Sequence, residues 1–410
     1  MSTNTHISVE KLETAAPAFL RTLQSRALVV AVLAGIGTIL GFVLEPNEAF
    51  HSWLVGFGFS WGLTCGPLAV LMLWYLSGGE WGMPIRRILE AGMKNLWLLA
   101  LYFIPVVLGA KVLYAWTHPE NMQSNELHAL SLKYLNLNAF IFRAVIYFIA
   151  WAVLVILLSR WSTRLDHKPA LFMGRRFAGV SGAGTVLYFF TATFATIDWF
   201  MSMIPGWPST VYSMVQVVGQ ALLGFCICII LARFLVNYEA MATLMNRKFF
   251  HDIGKLTFAF VMLWAYLSFS QWLIIWAGNM PDEIRWYLPR MHGGWEYCFA
   301  AMWLFHFGVP FSILLSQSFK KDIRKLVWIG VLLAFMRYFE LFWQVEPQFH
   351  SIIHYSWLDA VIPIFMASLW LVFFCRNYAR RPVVTLYDPR LPLTLAKIEE
   401  QNIEEHSYGH

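Results

Sequence analysis

The fold is decided by residues 53–76, which read WLVGFGFSWGLTCGPLAVLMLWYL without one charged side chain. A bilayer core about 30 Å thick requires roughly 20 apolar residues in one helix, because backbone polar groups in lipid must be paired within the spanning structure. A spanning β-strand would be about ten residues long and would alternate apolar and polar side chains. The run does not alternate, so it predicts a transmembrane α-helix.

Nine further apolar runs make the predicted fold class an all-α polytopic membrane protein of about ten helices. The chain is 59% hydrophobic and 13% charged, whereas soluble domains average about 25% charged residues. The polar N-terminal segment 1–26 lacks the pattern of a cleaved signal peptide, so we expect it to be retained. The predicted spans are 27–44, 53–76, 95–116, 138–159, 177–201, 209–232, 256–278, 297–318, 326–345 and 356–375.

Lysine and arginine are concentrated in alternate connections. The N-terminal segment, the connections that follow even-numbered spans and the C-terminal tail 376–410 hold most of them. The remaining connections hold only Lys133, Arg285 and Arg290. Because positively charged loops stay in the cytoplasm, we expect both termini there. The net charge of +6 follows from the same bias, so no nucleic-acid partner is expected.

The ends of two spans share a pattern that indicates an internal duplication. Asp198 and Glu340 each precede a proline by seven residues and an aromatic residue by nine. We therefore expect two parallel four-helix bundles, at 53–201 and 209–345. The first and last spans are then peripheral parts of a membrane domain at 27–375.

Ionisable side chains inside predicted spans are the candidate functional residues, because each costs about 2.5–3.5 kcal/mol at the bilayer centre on insertion scales. Most of them fall in the outer half of the membrane. They are Lys111, Arg143, Asp198, His306, Arg337, Glu340 and Asp359, with His292 and Glu296 at the start of the eighth span.

Two carboxylates stand out as candidate proton-exchanging groups. Arg337 and Glu340 are three residues apart and share a helix face, as either a self-neutralising ion pair or a proton-active site. Asp198 has Arg143 or Lys111 as its possible basic neighbour, with the same two alternatives. Burial and a nearby Arg act on a carboxylate in opposite directions, which can leave it able to exchange protons near neutral pH. His292 and His306 are candidates to bridge toward these sites.

A polar stripe on the fifth span predicts a water chain from the cytoplasm toward Asp198. Its members recur every three or four residues and therefore share one side of the helix. The alternative is that these hydroxyls bond carbonyls of their own helix. The stripe is Ser181, Thr185, Tyr188 and Thr191.

No cofactor is expected in this chain, and no catalytic residue is assigned to it. A haem between two histidines needs a pair at matching depth, but only His306 lies at mid-span; the other candidates, at the outer edge, are His51, His292, His350 and His354. The five cysteines lack a cluster-binding spacing and are expected to pack as small apolar side chains. No glycine run has the context of a nucleotide site.

Five motifs resemble the NrfD-like (polysulfide-reductase-type) membrane subunits of alternative complex III. The resemblance covers roughly residues 90–375, and the length and short tail are similar to the ActF-type subunit and not to the longer ActC-type. The motifs are ATIDWFMSMIPGW at 195–207, HDIGK at 251–255, FVMLWAYLSFSQ at 260–271, RMHGGW at 290–295 and RYFELFW at 337–343.

The resemblance implies a ten-helix, cofactor-free subunit of a respiratory or photosynthetic quinol:cytochrome c (or oxidase) oxidoreductase in the bacterial inner membrane. Quinol would be oxidised in the complex, with haem c and iron–sulfur clusters on partner subunits. The implied partners are a homologous ActC-type subunit, an iron–sulfur subunit, cytochrome c subunits and lipid. Many relatives have Leu-Glu-Pro where this chain has Met203-Ile204-Pro205, which argues against quinol chemistry here.

Two alternatives remain open. A stand-alone proton-coupled secondary transporter would have helices broken by Gly or Pro at matching positions in both halves. Gly66-Pro67 is such a candidate break, and only Gly219 and Gly224 correspond to it in the second half. The other alternative is a subunit that itself binds quinol at its outer aromatic and histidine-rich surface.

Overall fold

The computed structural model describes residues 17–118, 133–168, 173–385 and 387–407. Within these ranges, ten helices are long and apolar enough to cross a membrane. The predicted all-α polytopic fold is confirmed. The spanning helices are α1 (Phe19–Leu44), α2 (Pro46–Ser77), α3 (Gly82–Leu108), α4 (Leu137–Arg164), α5 (Met173–Met203), α6 (Thr210–Leu235), α7 (Arg247–Gly278), α8 (Trp295–Leu315), α9 (Ile323–Gln348) and α10 (Leu358–Ala379), and a further helix, α11, covers Arg390–Ser407.

Several helices extend beyond their apolar runs, and the largest difference is in α3. The predicted span 95–116 is wrong at both ends, because α3 begins at Gly82, is interrupted after Met93 and ends at Leu108. Its first half carries charged side chains that are neutralised by buried ion pairs, so hydropathy alone assigns it to a loop. Likewise α7 begins at Arg247, nine residues before its predicted start.

The spanning helices pack as two four-membered rings. In the first ring α2, α3, α4 and α5 contact one another in sequence, and α5 returns to α2. In the second ring α6, α7, α8 and α9 do the same, and α9 returns to α6. The rings meet where α2 contacts α6 and α9, and where α5 contacts α6. Helix α1 lies against α10, which packs on α2 and α3.

The contact between α2 and α6 brings backbone against backbone. A Cβ atom added to Gly66 would lie 2.1 Å from the carbonyl oxygen of Gln220, and one added to Gly224 would lie 2.8 Å from the carbonyl of Gly66. Helix α2 continues through Pro67 without interruption. The Gly66-Pro67 pair therefore permits close helix packing and does not break the helix.

The C-terminal segment packs against one end of the bundle, where α2 ends and α3 begins. We name this end the basic face and the other end, where α2 begins and α9 ends, the opposite face. Val383, Val384, Leu391 and Ile398 are buried. The C-terminal segment thus packs apolar side chains on the basic face, and its helix α11 lies beyond the last span.

Candidate functional site

Glu340 of α9 is the centre of a buried hydrogen-bond network in the second ring. Its carboxylate accepts bonds from Arg337 Nη1 at 2.6 Å, Trp264 Nε1 at 3.0 Å and Gln344 Nε2 at 3.1 Å. Glu340 is only 2% exposed. The predicted pairing of Arg337 with Glu340 is present, and side chains from α7 and α9 hold the carboxylate in place.

Helix α6 adds a second layer to this network. Gln216 accepts a hydrogen bond from Arg337 and donates one to the side-chain oxygen of Gln344. The hydroxyl of Tyr212 donates to the same oxygen at 3.2 Å. The guanidinium of Arg337 fits because Gly219 has no side chain: a Cβ there would lie 2.6 Å from Arg337 Cζ. The ion pair therefore spans the contact between α6 and α9.

His306 approaches the same carboxylate from α8. It lies in a π-helical segment, Trp303–Gly308, and such segments occur frequently at functional sites. Its Nδ1 is 3.8 Å from Glu340 Oε2, and its ring stacks on Trp264 with centroids 4.0 Å apart. Both ring nitrogens are buried without a hydrogen-bond partner among the described residues. Both nitrogens therefore have unused hydrogen-bonding capacity beside Glu340.

A small cavity of about 40 Å³ adjoins the carboxylate. Its polar lining comes from Glu340, Gln344, Tyr212, Ser268 and Gln271. A water molecule needs roughly 10–15 Å³ of such volume and two to four polar partners. The cavity therefore has the size and lining to hold water beside Glu340.

Arg290 closes this network on the side of the opposite face. It donates to the backbone carbonyls of Gln344 and Trp286, and its guanidinium lies 3.9 Å from the Trp286 ring centroid. Burial lowers the pKa of Arg290 to about 9, against the raising effect of Tyr212 and Tyr287. The group is therefore a cation at neutral pH, placed near the C-terminal end of α9, where positive charge is favourable.

Asp198 of α5 forms the corresponding site in the first ring. Arg143 of α4 binds both carboxylate oxygens at 2.9 Å, and Tyr147 donates to one of them at 2.8 Å. The Arg143 guanidinium lies 3.8 Å from the ring centroid of Tyr134. Of the two basic neighbours predicted for Asp198, Arg143 is the partner, whereas Lys111 is exposed in the short helix Ala110–Leu113.

Glutamines of α6 connect the two rings. The hydroxyl of Tyr188 on α5 donates to Gln220. Gln220 lies one helical turn from Gln216, so the two amides share a helix face. The Nε2 atom of Gln220 is buried without a hydrogen-bond partner in the described structure. Sequence reasoning found Tyr188 but missed Gln216, Gln220 and Gln344, which are uncharged; a search for amide side chains in apolar spans would have found them.

The polar stripe on α5 is only partly interior. Ser181, Tyr188 and Thr191 are buried, and Thr191 accepts a hydrogen bond from Trp151. Thr185 is exposed on the surface of the bundle and donates to the carbonyl of Ser181. The structure thus separates Thr185 from the interior line.

The other predicted candidates lie apart from both carboxylates. Asp359 accepts bonds from Ser52 at 2.5 Å and from the backbone N–H of Ser356, just before α10, at 2.8 Å. His292 is exposed, and no contact with Asp198 or Glu340 is found for it among the described residues. Glu296 accepts a bond from the Gly294 backbone at the start of α8.

A buried ion-pair cluster at the basic face was missed by sequence reasoning. Glu90 lies between Arg86 and Arg87 of α3, at 2.8 and 2.7 Å. Arg86 also pairs with Asp388 of the C-terminal segment, and Arg87 pairs with Asp166 beyond α4. These partners are remote in sequence, so the sequence shows only the charges of the two arginines, and those charges exclude the segment from a predicted span. The cluster joins α3, the end of α4 and the C-terminal segment.

The chain is therefore an integral membrane protein with two buried carboxylate sites, one in each ring, and further buried polar side chains on α5 and α6. Neither a protein-family model nor a curated protein matches the chain.

Proposed function

We propose that this chain is the NrfD-like, ActF-type membrane subunit of a bacterial quinol:cytochrome c (or oxidase) oxidoreductase, respiratory or photosynthetic, and that it contributes a proton path. The observation that carries the proposal is the set of buried polar side chains between Asp198 and Glu340. Buried polar groups are costly in lipid unless they are paired. Two carboxylates at equivalent positions in two rings therefore indicate a purpose beyond packing.

Each part of the network has a role in this proposal. Glu340 is the proton-exchanging group, because its oxygen Oε2 faces His306 and its cavity can hold water. Arg337 balances the negative charge when the carboxylate is ionised. Gln216 and Gln220 orient the hydrogen bonds that lead toward Tyr188 in the first ring.

Water is the expected partner of the unpaired atoms along this line. Buried atoms without a hydrogen-bond partner among the described residues include Ser60 Oγ, Ser181 Oγ, Gln220 Nε2 and both ring nitrogens of His306. Buried polar atoms are almost always hydrogen-bonded, and water supplies the bond where protein does not. Such atoms in several helices of both rings support water inside the bundle rather than a dry core.

Binding of quinol inside this subunit is less well supported. Pockets for small molecules measure about 300–1,000 Å³, whereas the cavity beside Glu340 measures about 40 Å³. A larger groove of about 670 Å³ lies between α3 and α4, but its lining is apolar apart from Lys94. Such a groove suits a lipid chain, and it lacks a carboxylate to accept the protons of a quinol.

The transporter alternative is also less well supported. Alternating access through parallel repeats relies on interrupted helices at the substrate site. Helix α2 continues through Gly66-Pro67, and α6 continues through Gly219 and Gly224. In α6 these glycines make room for Arg337 and for the backbone of α2.

The proposal includes a setting. The resemblance implies the bacterial inner membrane, and the distribution of Lys and Arg favours both termini in the cytoplasm. Haem c and iron–sulfur clusters belong to its partners, which include an ActC-type subunit, an iron–sulfur subunit and cytochrome c subunits. An epitope tag on this chain should therefore co-purify polypeptides that stain for covalent haem. Purification of the chain alone, with full transport activity, would exclude the complex.

The proton path is tested by Asp198→Asn and Glu340→Gln in the tagged complex. Each variant leaves an arginine without its carboxylate and is expected to be less stable, and in the complex that assembles each should lower the number of protons taken up per electron during quinol oxidation. Asp282→Asn is the matched control, because Asp282 is a carboxylate in an exposed pair with Arg285. If both buried-site variants assemble and keep the wild-type proton-to-electron ratio, the carboxylates are structural and the path does not exist.

A further inference from the structure

A second cluster of ionisable side chains lies at the opposite face, outside both carboxylate networks. Glu48 and His51, in the first turns of α2, meet His350, which follows α9. Each offers one ligand atom, and the three atoms lie within 4.8 Å of one another. His350 Nε2 is 3.3 Å from Glu48 Oε2 and 3.7 Å from Glu346 Oε2. Two imidazoles and the Glu48 carboxylate therefore converge, and the Glu346 carboxylate approaches the group beside His350.

The spacing matches what a metal ion requires. Zinc binds His nitrogen and carboxylate oxygen at about 2.0–2.2 Å in a tetrahedron, which places neighbouring ligand atoms roughly 3.3 Å apart. The distances from His350 to Glu48 and Glu346 already lie close to that value. The ligand atom of His51 lies within 4.8 Å of those of Glu48 and His350.

The negative charge of the carboxylates in this cluster also favours the binding of a cation. Asp198, Glu340 and Glu90 are each paired with an arginine. For Glu346, by contrast, the ion-pair partner found in the described part of the chain is His350. Glu48 and Asp359 lie close enough to Glu346 to repel it. Among the described residues, no ion pair joins these three carboxylates to a lysine or an arginine.

Two buried atoms in the cluster have unused bonding capacity. Glu346 is 1% exposed and its Oε1 has no hydrogen-bond partner in the described structure; His51 is 7% exposed and its Nδ1 has none either. Buried polar atoms are normally satisfied. These two atoms point to a ligand and not to a closed network of protein hydrogen bonds.

The histidine rings are held in place by neighbouring rings. His51 stacks on Phe349 with centroids 3.7 Å apart, and His350 lies against His354 at 4.6 Å. Glu48 and His350 remain about one quarter and one fifth exposed. The ligands are therefore positioned before an ion arrives, and the site is open to solvent on one side.

We propose that Glu48, His51, His350 and Glu346 form a binding site for a divalent first-row transition-metal ion, with Zn²⁺ as the probe. Imidazole and carboxylate together suit such ions. The ion would join the start of α2 to the end of α9. It is separate from the proton path, so its test does not depend on the proposed function.

The experiment measures Zn²⁺ binding to the chain purified with a histidine-free tag, in detergent, together with any subunits that accompany it. After treatment with a chelator, Zn²⁺ is titrated calorimetrically, and Co²⁺ reports the coordination geometry by its visible absorption. The variants are Glu48→Gln, His51→Ala and His350→Ala. His292→Ala is the matched control, because His292 is an exposed histidine outside the cluster.

One Zn²⁺ per chain should bind to the wild type and to His292→Ala. Each ligand variant should bind at least about 100-fold more weakly, since even changes to groups that only hydrogen-bond to a metal ligand cost about 10–100-fold. Zn²⁺ should raise the unfolding temperature of the wild type and not of the variants. If Glu48→Gln, which changes a partly exposed side chain and is expected to fold, binds Zn²⁺ as tightly as the wild type, the site does not exist. Equal loss of binding in His292→Ala would also overturn it.

Discussion

Replacing Glu90 by Gln should destabilise the protein strongly, because Glu90 is the shared anion of the basic-face cluster. Its carboxylate accepts bonds from Arg86 at 2.8 Å, Arg87 at 2.7 Å and Arg381 at 3.2 Å. Glu90 is 1% exposed and Arg86 is fully buried. Arg86 and Arg87 keep a second carboxylate each in the variant, but the cluster gains one uncompensated positive charge.

The magnitude follows from that burial. Removing one partner of a buried ion pair costs about 3–5 kcal/mol, because the remaining charge stays away from water. Removing one partner of an exposed pair costs about 0–1 kcal/mol. Asp282→Asn supplies the exposed comparison, since Asp282 and Arg285 are both more than half exposed. We therefore expect Glu90→Gln to lower the free energy of unfolding by several kcal/mol more than Asp282→Asn.

The cysteines provide the assay. All five are buried, so a thiol-specific fluorophore reacts as the fold opens and reports unfolding during a titration with sodium dodecyl sulfate. The midpoint and slope for each variant give its free energy of unfolding. If Glu90→Gln proves as stable as Asp282→Asn, the cluster does not hold the C-terminal segment against α3.

Two further predictions concern packing and pH. Gly66→Ala should lower the free energy of unfolding by about 1–3 kcal/mol, because the added methyl group overpacks against α6. Gly179→Ala should not lower it, since a Cβ at that position has nothing within 4 Å. Equal free energies of unfolding for the two variants in the same titration would contradict the close contact. Burial alone would raise the pKa of Glu80, but Lys248 and Lys397 lower the pKa below 4.5. The ionised Glu80 carboxylate therefore stabilises α11 fully above pH 4.5, and this stabilisation is lost as the pH falls below that value. Hydrogen exchange in α11, corrected for the intrinsic effect of pH, should therefore accelerate below pH 4.5 in the wild type and be fast at both pH values in Glu80→Gln.

Hydropathy was sufficient to predict the ten spans because their central turns are apolar. It failed at the start of α3, where charged residues lie inside a helix. Arg86 pairs with a residue 302 positions later, and Arg87 with one 79 positions later. A scale that assigns each residue its own transfer cost cannot include a partner so far along the chain.

The candidate site was predictable where its contacts are local. Arg337 and Glu340 are three residues apart, and helix geometry alone brings them together. Sequence reasoning left two partners open for Asp198, because the choice between Arg143 and Lys111 depends on how α4 packs against α5. It missed Gln216 because an amide carries no charge, and its role depends on α9 lying beside α6.

The seam between Gly66 and Gly224 restricts how the two halves of the protein can move. Rocking one ring against the other would separate backbones that touch there, and the atoms lining the gap would lose their van der Waals contacts. The gap would stay open at this position, since neither glycine has a side chain that could fill it. The two rings therefore form one rigid unit and not two domains that move about a hinge. Any species that crosses this bundle must be small enough to pass between groups whose positions are fixed.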